Sequence, residues 1–161
     1  GDALASRVHK ENDEDIVLEG IKQFERIMGI NPMLEKDFDQ DLLSGLDFKN
    51  KEKRVDILGI DSGFGVNLLA IQDRVREESK NLRTNIYSLN EEDFDKCFPN
   101  ARFDYIVMEK TNDKLLDLML LLKLLERLKD GGAMAIHTAE EMPLSDYEPR
   151  KVIGDWQILY S

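Results

Sequence analysis

Cysteine is nearly absent from this sequence, which has a single one, Cys97, among 161 residues. One cysteine excludes an internal disulfide and a metal site built from several cysteines, and such usage is typical of a reducing compartment. We therefore expect a cytoplasmic protein, and we identify no metal-binding residues in the sequence. Cys97 itself, which precedes Phe98, is interpreted as a small buried apolar residue.

The sequence also lacks an apolar run long enough to cross a membrane, and no secretory signal is evident. Its longest apolar block, LLDLMLLLKLLERL, is interrupted by charged side chains. It is therefore too short and too polar to span ~30 Å of hydrocarbon. The block instead predicts a buried helix from about Asp113 to Leu128.

Basic side chains are in the minority, with 22 Lys and Arg against 33 Asp and Glu, and the formal net charge is -11. This charge opposes the phosphate backbone of nucleic acids and anionic membrane surfaces. The one basic stretch, RVREESKNLR, is diluted by two glutamates and is typical of a solvated helical face. We expect a small-molecule or protein substrate, and a protein partner or an oligomer remains open.

The length fits one globular unit, which we divide into an N-terminal helical extension (residues 1–50) and a main domain (residues 51–161). Apolar residues at helical spacing predict a first helix from about Glu14 to Gly29. A second helix is expected from Asn31 to Gly45. The chain starts at Gly1 without Met, which fits a piece of a longer protein.

The main domain alternates short apolar runs with helical patterns. The runs VDILGI, TNIYSL, FDYIVM and AMAIHT predict four strands, and VIGDWQILYS predicts a final strand, antiparallel at the edge. Alternation of strand and helix is the signature of an α/β fold with a mostly parallel sheet flanked by helices. In such a sheet, ligands bind beyond the carboxyl ends of the strands.

The segment DSGFGVN follows the first strand at that position. Its glycines would let backbone approach a ligand closely, and the helix that starts near Val66 would direct its free N–H groups there. Asp61 suits a cationic group, such as an α-amino group, better than a phosphate. A nicotinamide dinucleotide site is disfavoured because Gly-x-Gly-x-x-Gly is absent. A purely structural turn is the alternative.

At these residues the chain resembles the Rossmann-like class I S-adenosylmethionine-dependent methyltransferases. Their first motif is an apolar strand followed by acid-x-Gly-x-Gly-x-Gly, and here Asn67 replaces the third glycine. RFDYIVMEK resembles the family's fourth strand. LLERLKDGGAMAIHT resembles its next helix, its Leu-Lys-Pro-Gly-Gly turn, with Asp130 in place of proline, and its fifth strand.

The resemblance implies that S-adenosylmethionine is the cofactor. It places cofactor contacts at Asp61, Ser62, Gly63, Phe64, Gly65, Asn67, Asn90, Glu91 and Glu109. Asp61 would orient the amino end of the methionine moiety, and Asn90 or Glu91 would reach the ribose. No catalytic residue is identified, because methyl transfer depends mainly on positioning.

One strand-helix unit of the family pattern is missing between Asn67 and Phe103. We expect TNIYSL to form a single central strand, followed by an irregular loop or one short turn, in a shortened sheet. The alternative function is therefore a catalytically inactive methyltransferase-like module that serves interaction or structure in a larger protein. His137, at a strand end, is either a base or a packing residue, with packing favoured. His9 is expected to be exposed.

Overall fold

The computed structural model describes residues 13–29, 40–49, 51, 53–61, 65–79, 82–94, 100–109, 118–138, 147 and 150–161. Within these ranges the chain forms a six-stranded sheet flanked by helices, compatible with a Rossmann-like fold. The predicted α/β fold class is confirmed. No helix in the described ranges has the length and apolar character needed to cross a membrane.

The helices are α1 (Glu14–Met28), α2 (Gln40–Ser44), α3 (Val66–Glu78) and α4 (Leu118–Glu126), and a short 3₁₀ turn covers Glu91–Asp93. The strands are β1 (Arg54–Ile60), β2 (Arg83–Leu89), β3 (Phe103–Glu109), β4 (Leu128–His137), β5 (Arg150–Ile153) and β6 (Trp156–Tyr160). Their order in the sheet is β2-β1-β3-β4-β6-β5. Strands β1 to β4 are parallel, whereas β6 is antiparallel to both of its neighbours.

The first helix ends as its sequence predicts. Gly29 adopts the left-handed conformation (φ 70°), and its N–H donates a hydrogen bond to the carbonyl oxygen of Glu25 at 2.8 Å. Of the second predicted helix, the structure shows Gln40–Ser44. The part of that prediction before Gln40 lies outside the described residues.

Apolar side chains cover both faces of the sheet, as expected for buried parallel strands. On one face Val17 and Ile21 of α1, Leu42 of α2 and Leu68 of α3 pack in a cluster that includes Ile57. On the other face Leu121 and Leu124 of α4 pack in a cluster that includes Leu58, Ile106 and Met134. Helices α1 and α2 therefore share a core with the strands that follow them.

The leucine-rich helix α4 ends two residues earlier than the predicted end at Leu128. It stops at Glu126, and β4 already begins at Leu128. The predicted Leu-Lys-Asp-Gly-Gly turn lies instead within β4, where the register against β3 shifts between Phe103 and Tyr105. Gly131 takes a positive φ of 79° at this irregularity, so a bulge accommodates the two glycines without ending the strand.

The C-terminal segment forms a hairpin rather than one edge strand. Gly154 and Asp155 form the turn between β5 and β6, and β6 lies between β4 and β5. The predicted antiparallel orientation is correct for β6, but its placement at the edge was wrong. Strand β5, with its exposed Arg150 and Lys151, occupies the edge.

Between Asn67 and Phe103 the described residues contain one strand, β2, followed by the 3₁₀ turn, as predicted for a shortened sheet. Residues 95–99 lie outside the described residues, so the loop or short turn expected there stays a prediction. The central position predicted for this strand was wrong, because β2 is the edge of the sheet. Asp13 contacts its outer side: the Asp13 N–H donates to the carbonyl oxygen of Ile86, and the Asp13 carboxylate accepts from the Ser88 N–H at 2.9 Å. Asp13, the residue before α1, thus forms hydrogen bonds with backbone groups on the outer side of this edge strand.

A network of charged and polar side chains connects four strands, β1, β2, β3 and β4, at their amino ends. Asp56 of β1 is 2% exposed and accepts hydrogen bonds from Arg54 at 3.0 Å, Asn85 at 3.0 Å and Lys129 at 3.1 Å. Asp104 of β3 accepts from Lys129 at 2.9 Å and from the Asp56 N–H at 2.8 Å. Burial disfavours the Lys129 ammonium, but the bonds and charges of Asp104 and Asp56 outweigh it and raise the pKa of Lys129.

We expect Lys129→Met to destabilise the fold by about 3 kcal/mol, the lower end of the range for removing one partner of a buried ion pair, because Lys129 is 31% exposed. Urea unfolding measures this. Since the folded pKa is raised, the stabilisation is present below the unfolded lysine value of ~10.4 and is lost as pH rises through the folded value. Lys22→Met, on the exposed face of α1, is the control, and equal effects of the two substitutions would contradict this role.

Candidate functional site

The register of the parallel strands places several predicted site residues side by side at the carboxyl edge of the sheet. Ile60 pairs with Leu89 on one side and with Met108 on the other, so the next residues, Asn90, Asp61 and Glu109, leave three adjacent strands at one level. Glu109 pairs in turn with His137 of β4. We call these four residues, Asn90, Asp61, Glu109 and His137, the edge row.

Asp61 has a backbone conformation that is uncommon for a residue with a side chain. Its φ is 53°, in the left-handed region. Its N–H donates to the carbonyl oxygen of Leu89 at 2.9 Å, which holds the residue between β1 and β2. A strained conformation that the surrounding structure maintains is a frequent feature of ligand sites.

Asn67 and Glu109, predicted separately from two motifs, are in direct contact. The side-chain amide of Asn67 donates to a carboxylate oxygen of Glu109 at 2.7 Å. Asn67 lies in the first turn of α3 and is 9% exposed, while Glu109 ends β3 and is half-buried. The short distance is typical of a hydrogen bond to a charged acceptor, and it joins the helix start to the edge row.

This contact determines the electrostatics at the start of α3. A helix N-terminus ordinarily attracts a phosphate or another anion. Here Glu109 already brings a carboxylate to the first turn, and Asp61 lies level with it in the edge row. A second anion would be repelled by both groups. The arrangement favours a ligand that presents a cationic group to this part of the edge.

Gly65, the last residue before α3, is in close contact with α1. It has a φ of 77°, and a Cβ atom on it would lie 2.7 Å from Cγ1 of Val17. The space that this glycine leaves is therefore taken by α1. The sequence predicted close approach of a ligand here, whereas the described structure places a neighbouring helix there.

The remaining predicted residues differ in their surroundings. Asn90 is exposed, and Glu91 is half-buried at the start of the 3₁₀ turn, so both follow β2 at the carboxyl edge. Ser62, Gly63 and Phe64 lie outside the described residues.

His137 packs against an aromatic side chain. Its ring centroid is 4.9 Å from that of Trp156, its partner on β6, at an interplanar angle of 58°. Trp156 is 1% exposed. This contact supports the packing interpretation of His137 over a role as a base.

The charged cluster at the opposite edge, around Asp56, Asp104 and Lys129, was not predicted from the sequence. Its signal was an acid within each of two otherwise apolar strands, in VDILGI and FDYIVM. A carboxylate buried among strands requires a partner. The two acids within apolar strands therefore indicate that cationic partners exist, but the sequence does not show which lysine or arginine they are.

Comparisons with known proteins give little. No family model and no curated protein matches the chain. A hypothetical protein of Thermus thermophilus, TTHA0928, has a similar structure with a TM-score of 0.41 and 19% identity, over 66% of this chain and 74% of that one. The rRNA methyltransferase aviRa of Streptomyces viridochromogenes gives a TM-score of 0.32 and 12% identity, over 62% of this chain and 47% of that one. Both TM-scores are too low to support a statement about activity.

The contact between Gly65 and Val17 predicts unequal costs for alanine at two glycines with similar backbone angles. Gly131, with a φ of 79°, has no atom within 4 Å of a built Cβ, so Gly131→Ala should cost only the left-handed conformation, about 1 kcal/mol. Gly65→Ala should cost roughly 1–3 kcal/mol more, because the methyl group overpacks against Val17.

Urea unfolding of both variants, alone and in a Val17→Ala background, separates the two terms. We expect Val17→Ala to reduce the cost of Gly65→Ala and to leave that of Gly131→Ala unchanged. Equal costs for the two glycines in both backgrounds would show that α1 does not contact the loop as described.

Proposed function

We propose that the chain is an S-adenosylmethionine-dependent methyltransferase that acts on a small molecule or a protein. The observation that carries the proposal is the contact between Asn67 and Glu109, with Asp61 at the same level of the edge row. S-adenosylmethionine carries an α-ammonium group and a sulfonium centre, and both suit an edge where two carboxylates disfavour phosphate.

Each residue has a defined part in the proposed site. Asp61 binds the α-ammonium group, and Glu109, held by Asn67, adds a second negative charge beside the start of α3. Asn90 and Glu91, which follow β2, face the ribose. Ser62, Gly63 and Phe64 supply backbone contacts. Methyl transfer then requires a nucleophile placed in line with the sulfonium carbon, and such positioning supplies much of the rate without a catalytic triad.

The substrate class follows from charge. A net charge of -11 opposes association with an RNA or DNA backbone. A small molecule or a protein is therefore the proposed methyl acceptor.

A second candidate function is an inactive methyltransferase-like module. The specific observation in its favour is the position of α1, since Val17 fills the space beside Gly65 and Asp13 bonds to β2. Helix α1 then stabilises the edge of the sheet and reduces the room for a nucleoside. The two functions differ in one measurable property, which is affinity for the cofactor.

Isothermal titration with S-adenosylmethionine and S-adenosylhomocysteine measures this affinity. We expect micromolar binding of the unsubstituted chain. Asp61→Asn should weaken it by ~1.5–3 kcal/mol, the usual contribution of a hydrogen bond to a charged group. Glu109→Gln keeps an acceptor for Asn67 but removes the charge, so it should weaken binding while the fold is retained.

Glu78→Gln, an exposed carboxylate at the far end of α3, is the matched control and should bind as the parent does. Absence of binding at millimolar cofactor would favour the inactive module. Binding that is equal in the parent, Asp61→Asn and Glu109→Gln would show that the cofactor lies elsewhere.

A further inference from the structure

A cavity of about 420 Å³ opens at the amino edge of the sheet, opposite the edge row. Four cationic side chains line it: Lys49, Lys51, Arg54 and Lys129. They come from the segment before β1, the start of β1 and the start of β4. With three aspartates also in the lining, the cavity has a small excess of positive charge in a chain that carries a net charge of -11.

These cations differ in how far their hydrogen-bonding capacity is used. Lys129 bonds to both Asp56 and Asp104, so its charge is matched within the fold. Arg54 gives only its Nε to Asp56, at 3.0 Å, and its side chain is 60% exposed. The two terminal nitrogens of Arg54 have no protein acceptor in the part of the chain that the structure describes.

Lys51 is the most informative of the four. It is half-buried, and its Nζ lies 4.7 Å from the centroid of the Tyr105 ring and 3.4 Å from the carbonyl oxygen of Gly131. Across the described ranges, no carboxylate forms a salt bridge with it. Burial lowers the pKa of Lys51, and the attraction of Asp104 and Asp47 does not offset this effect.

A lysine in these surroundings lowers the stability of the folded chain. A half-buried ammonium without a paired carboxylate loses hydration that the ring and one long hydrogen bond only partly replace. A purely structural role is therefore a poor account of Lys51. A ligand that supplies a negative charge would offset the loss of hydration and would use the free donors of Arg54.

We propose that this cavity binds a small oxyanion, a phosphate or carboxylate group, between Lys51, Lys49 and Arg54. The site is separate from the proposed cofactor edge and does not depend on it. The three cations line the same cavity, so their donors are available to an anion that enters it.

Three carboxylates also line the cavity and limit the ligand that it accepts. Asp104 is already bonded to Lys129. Asp47 accepts a hydrogen bond from the Lys49 N–H at 2.9 Å, and Asp130 is exposed at the opening. Asp47 and Asp130 repel a highly charged ligand, so a compact anion of low charge is favoured. Removal of the Asp130 charge should strengthen binding.

The test is a titration with inorganic phosphate at constant ionic strength, followed through the backbone amide resonance of Gly131. A parallel titration with acetate separates the two oxyanions, and sodium chloride corrects for screening. We expect saturable shifts with at least one of the two anions, a tenfold or greater loss of affinity in Lys51→Met, and a gain of several-fold in Asp130→Asn.

Lys53→Met is the matched control, since Lys53 is an exposed neighbour outside the cavity lining, and it should bind as the parent does. Lys49→Met should also weaken anion binding. Because the Lys49 side chain is exposed, this substitution should leave folding unchanged. Asp61→Asn should leave this binding unchanged. No saturable shift with either anion, or equal losses in Lys53→Met and Lys51→Met, would overturn the proposal.

Melting temperatures distinguish a binding role of Lys51 from a purely structural role. If Lys51 is a binding residue, Lys51→Met should melt at the same temperature as the parent or higher in the absence of oxyanions, because an unpaired ammonium is removed. A melting temperature lower by several degrees would show instead that Lys51 supports the fold, and the proposal would fail.

Discussion

The ammonium group of Lys129, held between the carboxylates of Asp56 and Asp104, is the interaction on which the sheet depends most. Both acids are buried on adjacent parallel strands, and without a cation between them their charges would repel each other in a poorly hydrated place. Lys129 lies at the start of β4, beside the register shift against β3, and contacts both acids. This network connects β1, β2, β3 and β4 at one end, and at the other end the same four strands place the residues of the edge row side by side.

The two edges of the sheet consequently differ in charge. At the amino edge buried acids are matched by lysine and arginine, and two further lysines border a cavity. At the carboxyl edge Glu109 contacts the start of α3, where a helix dipole ordinarily favours an anion, and Asp61 follows the neighbouring strand at the same level. Glu109 satisfies that preference from within the chain, through Asn67. An external ligand therefore meets an edge that is already supplied with negative charge. Helix α1 reduces the space available to a ligand at this edge, because Val17 fills the space beside Gly65. Any nucleoside bound there would have to fit beside Val17.

Features set by local sequence were predicted well, whereas those set by strand order and register were not. The first helix and its Gly29 cap, the strand before Asp61 and the helix after Gly65 all follow from periodicity and glycine placement. The contact between Asn67 and Glu109 was not foreseen, because it depends on the register of β1 against β3. Gly131 and Gly132 resemble a turn, but a register shift keeps them within β4. Asp56 and Lys129 are 73 positions apart, so a buried acid could indicate the need for a partner without identifying it.

The proposed binding of a cationic cofactor at the carboxyl edge can be tested by mapping backbone amide shifts during a titration with S-adenosylmethionine. We expect the shifts to concentrate at Asp61, Asn67, Asn90 and Glu109, and the resonances of Lys129 and Gly131 at the opposite edge to stay unchanged. Shifts confined to the amino edge, or none anywhere at saturating cofactor, would contradict the proposal.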